Sequence, residues 1–262
     1  LAFGWAALLA LFWRDTADLA DVYWNSSVYE HCLLVIPVIG WMVWQRWPQL
    51  RLIAPHGWAG GLVWIAGGMA AWVVGYGAEI NLGRHFGLIV MMQGMALTLL
   101  GPNVIRALLF PFFYSFFLVP LGDQLVPPLQ TFTADMSMVL LDWTGIPATL
   151  SGIFITTPTG YFRVAEACAG VNFLIATVAL GTMVAHICFS GWMRRAVFMV
   201  ACVIVPIIAN GIRAWGTMFI AHYQGIEFAA GFDHVFYGWF FFAFVLAMIL
   251  GGAWRFFDRS PH

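Results

Sequence analysis

Uninterrupted apolar runs of membrane-spanning length are the feature that most limits how this chain can fold. The longest, residues 196–222, contains a single charged side chain, Arg213. About 20 apolar residues suffice for a helix to cross the hydrocarbon core of a bilayer. Charged residues make up 9% of the chain, against roughly 25% in soluble domains, so a water-soluble fold is excluded. Because the runs are continuous and do not alternate, they predict membrane helices and not a transmembrane β-barrel.

The runs predict an all-α integral membrane protein, a single transmembrane domain over residues 1–262 with about eight spanning helices. The predicted spans are residues 1–13, 31–45, 58–78, 87–101, 104–122, 166–189, 196–222 and 236–254. If the N-terminus is cytoplasmic, the inside loops hold seven arginines and the outside loops three. The positive-inside rule therefore predicts that both termini face the cytoplasm.

One predicted outer loop, residues 123–165, is too long to be a simple connection. Its first part is amphipathic, and we expect a helix in the membrane interface with Asp135 and Asp142 facing away from the lipid. Its second part has β-branched residues around Thr157-Pro158-Thr159-Gly160, which predicts a short hairpin. This loop leads into Cys168 and is expected to cap a site on the outer face.

Three reactive residues are predicted at similar depth near that face. Cys168 lies where the sixth span enters the membrane, and His234 lies just before the eighth. Arg213 is seventeen residues past Ala196, which at ~1.5 Å per residue places it ~25 Å along the seventh span. A guanidinium at bilayer depth costs at least ~2.5–3.5 kcal/mol, so Arg213 is expected to face a partner or a wet cavity.

A thiol, a cation and an imidazole can together form a cysteine acyl-transfer site. A cation or a helix N-terminus beside a thiol favours the nucleophilic thiolate. His234 suits proton transfer, and Arg213, which keeps its proton, suits stabilisation of an oxyanion. Each also has a structural interpretation: Cys168 as a packing residue or a disulfide partner of Cys32, His234 as an interfacial residue, and Arg213 as an ion-pair partner of Glu166 or Asp233.

Three motifs in this order resemble those of the exosortase/archaeosortase family. They are residues 164–171 (VAEACAGV), 209–215 (ANGIRAW) and 233–239 (DHVFYGW). His31, ahead of residues 33–37 (LLVIP), is similar to the family's N-terminal region, although Cys32 replaces the usual glycine. The likeness covers most of the chain, and the family's eight-helix architecture matches the predicted spans.

The resemblance implies a membrane cysteine peptidase and transpeptidase with Cys168, Arg213 and His234 as catalytic residues. Its substrates would be exported proteins with a C-terminal sorting signal: a short motif (Pro-Glu-Pro in the bacterial type), a transmembrane helix and a basic tail. The new carboxyl end would pass to an unknown acceptor nucleophile at the periplasmic, outer face of the inner membrane. The polar residues in or beside the motifs are expected to bind substrate or support the site: Glu166, Asn172, Asn210, Asp233 and His31.

Two other functions stay open on the sequence. A transporter or channel could use Arg213 to bind an anion, although the repeat symmetry and broken helices of transporters are missing from the sequence. An export assembly factor is also compatible with the chain, but it explains none of the three reactive residues. No metal motif is present, so we expect no metal or cofactor, and we expect the lipid bilayer and not nucleic acid as a partner.

Overall fold

The structure is a computed structural model that describes residues 1–232 and 238–258. The chain divides into two compact units, residues 1–121 and 122–262. The regular structure of the first unit is helical: α1 (Ala2–Leu11), α2 (Trp13–Asn25), α3 (His31–Leu50), α4 (Gly60–Gly77), α5 (Asn81–Ala107) and α6 (Leu109–Tyr114). A turn of 3-10 helix, Ser115–Leu118, ends it.

Glycines let α4 and α5 pack with their backbones almost touching. A methyl group at Gly68 of α4 would lie 2.8 Å from the carbonyl oxygen of Gly87 on α5. Small residues at such a contact are how helices associate where lipid removes the hydrophobic driving force between them. Close packing of these two helices forms the framework of the first unit.

A cluster of polar and charged side chains lies within this framework. Asp15 of α2 is 3% exposed, forms an ion pair with Arg84 of α5, and accepts a hydrogen bond of 3.0 Å from Trp72 Nε1 on α4. His85 Nε2 lies 2.8 Å from Asp18 Oδ2. The loop predicted over residues 14–30 is thus largely the helix α2, whose carboxylates are directed at partners on α4 and α5.

The second unit combines helices with a small sheet. Its elements are α7 (Val126–Trp143), β1 (Thr149–Ser151), β2 (Phe154–Thr157), β3 (Gly160–Arg163), α8 (Val171–Cys188), α9 (Trp192–Gln224), α10 (Ile226–Phe232) and α11 (Gly238–Trp254). Short 3-10 turns occupy Asp123–Leu125 and Glu166–Cys168. The helix α10 was not predicted, because its run of seven residues is too short to show periodicity.

The predicted hairpin in the outer loop is confirmed. Strands β2 and β3 pair antiparallel, with Thr157 opposite Gly160 around the two-residue loop Pro158-Thr159. Strand β1 adds to the other side of β2, so the sheet order is β1-β2-β3. The fold is therefore mainly helical, as predicted, and the hairpin in the outer loop is extended to a three-stranded sheet, because residues 149–151 also pair with β2.

The helix predicted in the first part of the loop is also present as α7. One face is buried, at Val126, Leu129, Gln130, Thr133, Ala134, Ser137 and Leu141, while Asp135 and Asp142 are exposed. The buried face packs against α9 and, through a core that includes Leu141, Ile155 and Met218, against the sheet. Its location in the membrane interface remains a prediction.

The chain is mainly helical, as predicted for a membrane protein, but the count of eight spans is not confirmed. In the part of the chain that the structure describes, α4, α5, α8 and α9 are long and apolar enough to cross a bilayer. A fifth span results if Leu109–Leu118 and Asp123–Trp143 form one broken span. The remaining predicted spans are shorter or more polar in the structure. For example, α1 has 10 residues and α11 has 17.

Candidate active site

Cys168 ends a short 3-10 turn immediately before α8. Its N–H donates to the carbonyl of Ala165 at 2.9 Å, and the side chain is half-buried. The residue was expected in the first turn of the sixth helix, but α8 begins three residues later, at Val171. The reason is Gly170, whose φ of 76° is left-handed and interrupts the helix. Cys168 therefore lies on an irregular segment at a helix entrance.

Asn210 of α9 holds the segment that contains Cys168 by a hydrogen bond to its backbone. Its Nδ2 group donates to the Cys168 carbonyl at 2.9 Å and to Thr133 Oγ1 of α7 at 3.1 Å. Asn210 is 3% exposed. A methyl group at Gly170 would lie 2.6 Å from Asn210 Cγ, so Gly170 is needed for close approach as well as for its backbone conformation. The amide of Asn210 thus connects α7 and α9 to the 3-10 turn Glu166–Cys168, which we call the cysteine turn.

Arg213 lies one turn after Asn210 on the same face of α9, since residues three apart are neighbours on a helix. It is 8% exposed, and its Nη2 lies 4.0 Å from Cys168 Sγ. Its guanidinium carbon is 5.8 Å from the centre of the Phe173 ring, which is a cation–π distance. The predicted closeness of the cysteine and the arginine is therefore present in the structure.

A cavity of about 220 Å³ opens beside these two residues. Its wall comes from β2, β3, α9 and α10 and from the cysteine turn, and most of the side chains are apolar. The polar residues that line it are Arg163, Cys168, Arg213 and Thr217. Among the described residues, the lining includes two cations and no carboxylate. The cavity can accept a small group, such as one or two residues of a peptide, beside the Cys168 thiol.

The other predicted residues differ in how they relate to this site. His234 and Asp233 lie outside the described residues. Gly238, at the end of the same motif, is described: a methyl group there would lie 3.9 Å from Arg213 Nη1. Glu166 is exposed at the start of the cysteine turn. Asn172 is half-buried in the first turn of α8, and among the described residues its side chain makes no hydrogen bond to Cys168 or Arg213.

His31 belongs to the first unit, where it is the first residue of α3. Its Nδ1 lies 3.2 Å from the Val28 carbonyl, and its Nε2 lies 3.6 Å from Cys32 Sγ. Its connection to the Cys168 site stays a prediction. Cys32 itself is fully buried with Sγ 3.3 Å from the Phe117 carbonyl. All four cysteines are free thiols, so the disulfide interpretation of Cys168 is not present.

Sequence reasoning missed the contribution of α7 to the site. Thr133 holds Asn210, and Gln130 Nε2 donates to the carbonyl of Val164 at 2.8 Å, just ahead of the cysteine turn. Ser137 is also buried on this face. Their spacing of three and four residues marks a polar stripe along an otherwise apolar helix face, a signal that was available in the sequence.

A comparison with known protein families decides the class of the protein. The model of the transmembrane exosortase family matches residues 23–251, most of the chain. The chain belongs to the transmembrane exosortase family. The resemblance drawn from the three motifs is thereby confirmed, as is the membrane class. No curated protein and no solved structure matches the chain.

Proposed function

We propose that this exosortase is a membrane-embedded cysteine peptidase and transpeptidase that cleaves C-terminal sorting signals of exported proteins. Exosortases are a family of membrane cysteine transpeptidases. The observation that carries the proposal is the buried Arg213 guanidinium 4.0 Å from Cys168 Sγ, beside a cavity. The proposed substrates carry a motif of the Pro-Glu-Pro type, a transmembrane helix and a basic tail, and the reaction takes place on the outer face of the inner membrane.

In the first half of the reaction, the Cys168 thiolate attacks the carbonyl carbon of the scissile peptide bond. The attack forms a tetrahedral intermediate, whose oxyanion is attached to the carbon bonded to Sγ. The distance of 4.0 Å between Cys168 Sγ and Arg213 Nη2 leaves room for this oxygen beside the guanidinium. The C–N bond then breaks, and the amine leaves with a proton that we assign to His234. The product is a thioester between Cys168 and the new C-terminus of the substrate.

In the second half, an acceptor nucleophile attacks the thioester and restores the Cys168 thiol. If the acceptor is an amine, a new amide forms, and if it is water, the result is hydrolysis. Asn210 and Gly170 keep the cysteine turn in place during both steps, because Asn210 binds the Cys168 carbonyl and Gly170 lets the two segments approach. Glu166, Asn172, Asp233 and His31 are proposed to support the reaction or to bind substrate.

The test is co-expression with a protein that ends in such a sorting signal, followed by mass spectrometry of its C-terminus. Cys168→Ala should abolish processing while the protein still inserts, since the change removes the nucleophile but little packing volume. Cys202→Ala and Cys188→Ala are the matched controls within the same unit and should retain processing. Processing that survives in Cys168→Ala would end the assignment of Cys168 as the nucleophile.

A further inference from the structure

Among the described residues, strand β3 has a neighbouring strand on one side only, and its other side is a free edge of the sheet. Thr157 and Gly160 flank a loop of two residues, so they form a hydrogen-bonded pair of the antiparallel ladder. The same pattern continues at the other end of the strand, where the N–H of Val164 donates to the Ile153 carbonyl at 2.9 Å. Pairs of this kind alternate along an antiparallel ladder. Gly160 and Phe162 therefore bond to β2, whereas the N–H and C=O groups of Tyr161 and Arg163 point away from it.

That free edge runs along the cavity and towards the cysteine. Phe162, Arg163 and Val164 line the cavity together with Cys168, which follows Arg163 by five residues. Among the described residues, the backbone of Tyr161 and Arg163 makes no hydrogen bond outside the sheet. An extended peptide that paired with this edge would therefore lie beside the Cys168 thiol.

The positive charge of the cavity wall favours a peptide with an acidic side chain. Arg163 is exposed and forms no ion pair with any described residue. Arg213 lies against the thiol, which leaves the Arg163 guanidinium available to a ligand. Guanidinium groups bind carboxylates through charge-assisted, often bidentate, hydrogen bonds.

We propose that the substrate peptide binds along the free edge of β3 as an added strand, and that Arg163 pairs with an acidic side chain of that peptide. Added strands gain affinity from backbone hydrogen bonds and specificity from side-chain contacts. Arg163 is thus a specificity-determining residue for the reaction proposed above, on which this inference rests. Arg163 binds the carboxylate of the peptide, while Cys168 attacks a peptide bond nearby.

The experiment measures binding apart from cleavage. Full-length protein carrying Cys168→Ala, solubilised in detergent, is titrated with a fluorescent peptide containing Pro-Glu-Pro and with analogues that have Gln or Arg in place of Glu. Replacing Glu by Gln should weaken binding about fivefold, the upper range for a solvent-accessible ion pair. Adding Arg163→Glu should reverse the preference, so that the Arg analogue binds more tightly than the Glu peptide. Arg14→Glu, a charge reversal at another exposed arginine, should leave the preference unchanged.

A second substitution tests the strand edge. Tyr161→Pro removes an N–H that points away from β2, and proline is tolerated in edge strands at such positions. It should weaken the binding of every peptide severalfold, whereas Tyr161→Ala, which keeps the N–H, should have a smaller effect. Equal affinity for the Glu and Gln peptides, or a preference that Arg163→Glu does not reverse, would overturn the role of Arg163. Unchanged binding to Tyr161→Pro would overturn pairing at the edge.

The same peptides separate this inference from the proposed function. If the protein with Cys168 intact does not cleave a peptide that it binds in an Arg163-dependent way, the proposed function fails and the binding mode stands. If cleavage depends on Cys168 but is equally fast for the Glu and Gln peptides below saturation, the proposed function stands and the Arg163 assignment fails.

Discussion

The two units of this exosortase each hold an arginine in close contact with other side chains, half-buried Arg84 in the first and buried Arg213 in the second, and the two have different surroundings. In the first unit, Arg84 forms an ion pair with Asp15, whose other oxygen accepts a hydrogen bond from Trp72. In the second unit, the contacts described for Arg213 include the Cys168 thiol and the Phe173 ring, and a cavity lies beside them. The first arrangement joins helices to each other, while the second presents a cation to a space that a ligand can enter.

This difference indicates how a membrane protein can use the same residue for two purposes. A guanidinium that pairs with a buried carboxylate stabilises the packing around the pair, and its removal leaves the buried carboxylate unpaired. A guanidinium beside a thiol and a cavity can instead stabilise charge that develops during a reaction. The comparison predicts that conservative changes at the two positions will have different consequences.

The largest difference is expected from lysine substitutions at the two arginines. Arg213→Lys should lower the processing rate by about 10²–10³, the typical effect of losing one oxyanion donor, because lysine lacks the planar set of N–H donors. Arg84→Lys keeps a cation beside Asp15, so processing should stay within about a factor of five, the size of a modest change in one ion pair. Processing rates are measured with expression and thermal unfolding for both variants.

The comparison with alanine shows what each charge does for folding. Each alanine variant is compared with the lysine variant at the same position. The loss of expression from lysine to alanine should be larger at Arg84 than at Arg213, because Arg84→Ala leaves Asp15 buried without its cation. Near-normal processing by Arg213→Lys would instead mean that Arg213 is structural, as Arg84 is.

A smaller effect is expected from alanine at two glycines with left-handed backbone. Gly170 has φ 76° and Gly145 has φ 71°, but a methyl group would strike Asn210 at the first position and meets nothing within 4 Å at the second. Both alanine variants should lose about 1–2 kcal/mol from the backbone conformation alone. Gly170→Ala should in addition reduce processing about tenfold, since a shift of Cys168 by a fraction of an ångström affects the attack geometry.

Measurements of thermal unfolding and processing rate on the two variants test this. Equal processing by Gly170→Ala and Gly145→Ala would show that the contact between Gly170 and Asn210 does not position the cysteine.

The smallest effect is expected at the end of α11. Asp258 Oδ1 accepts from the Ser190 N–H at 2.7 Å, and Oδ2 accepts from Ser190 Oγ at 2.6 Å and from Arg194 at 3.1 Å. The hydrogen bonds from Ser190 lower the pKa of Asp258 below its ordinary value. The stabilisation is therefore present above the ordinary aspartate pKa of about 4 and is lost as the pH falls through the lowered value.

Asp258→Asn should consequently melt slightly below the unsubstituted protein at pH 7, and the difference should shrink as the pH falls below about 4. Thermal unfolding measured at a series of pH values provides the check. A difference in melting temperature that stays constant into strong acid would show that this carboxylate does not contribute through its charge.

How much of the molecule the sequence could predict depends on how local each interaction is. The hairpin at Thr157-Pro158-Thr159-Gly160 was predictable, because turn residues specify a two-residue loop within four positions. The approach of Arg213 to Cys168 could be predicted from helix length and from the orientation that the arginine distribution predicts for each span. Both arguments use distances that are fixed along one element.

Features that depend on packing between distant segments were not predictable in this way. The hydrogen bond from Asn210 to Thr133 joins α9 to α7 and requires knowledge of how these helices pack. The sequence alone does not distinguish the helix α2 from a loop, because its carboxylates suit water as well as they suit Arg84 and His85. The predicted count of about eight spans is not confirmed for a related reason: an apolar run gives the length of a hydrophobic segment but not where its helix breaks.

The most direct test of the central claim is to capture the thioester at Cys168. Hydroxylamine attacks thioesters, so an exosortase incubated with its substrate and hydroxylamine should release a product that ends in a hydroxamic acid. Mass spectrometry of that C-terminus identifies both the cleaved bond and the chemistry. The account predicts the hydroxamate with the unsubstituted protein, a yield about 10²–10³ lower in Arg213→Lys, and none in Cys168→Ala. Formation of the same cleaved product by Cys168→Ala would contradict it.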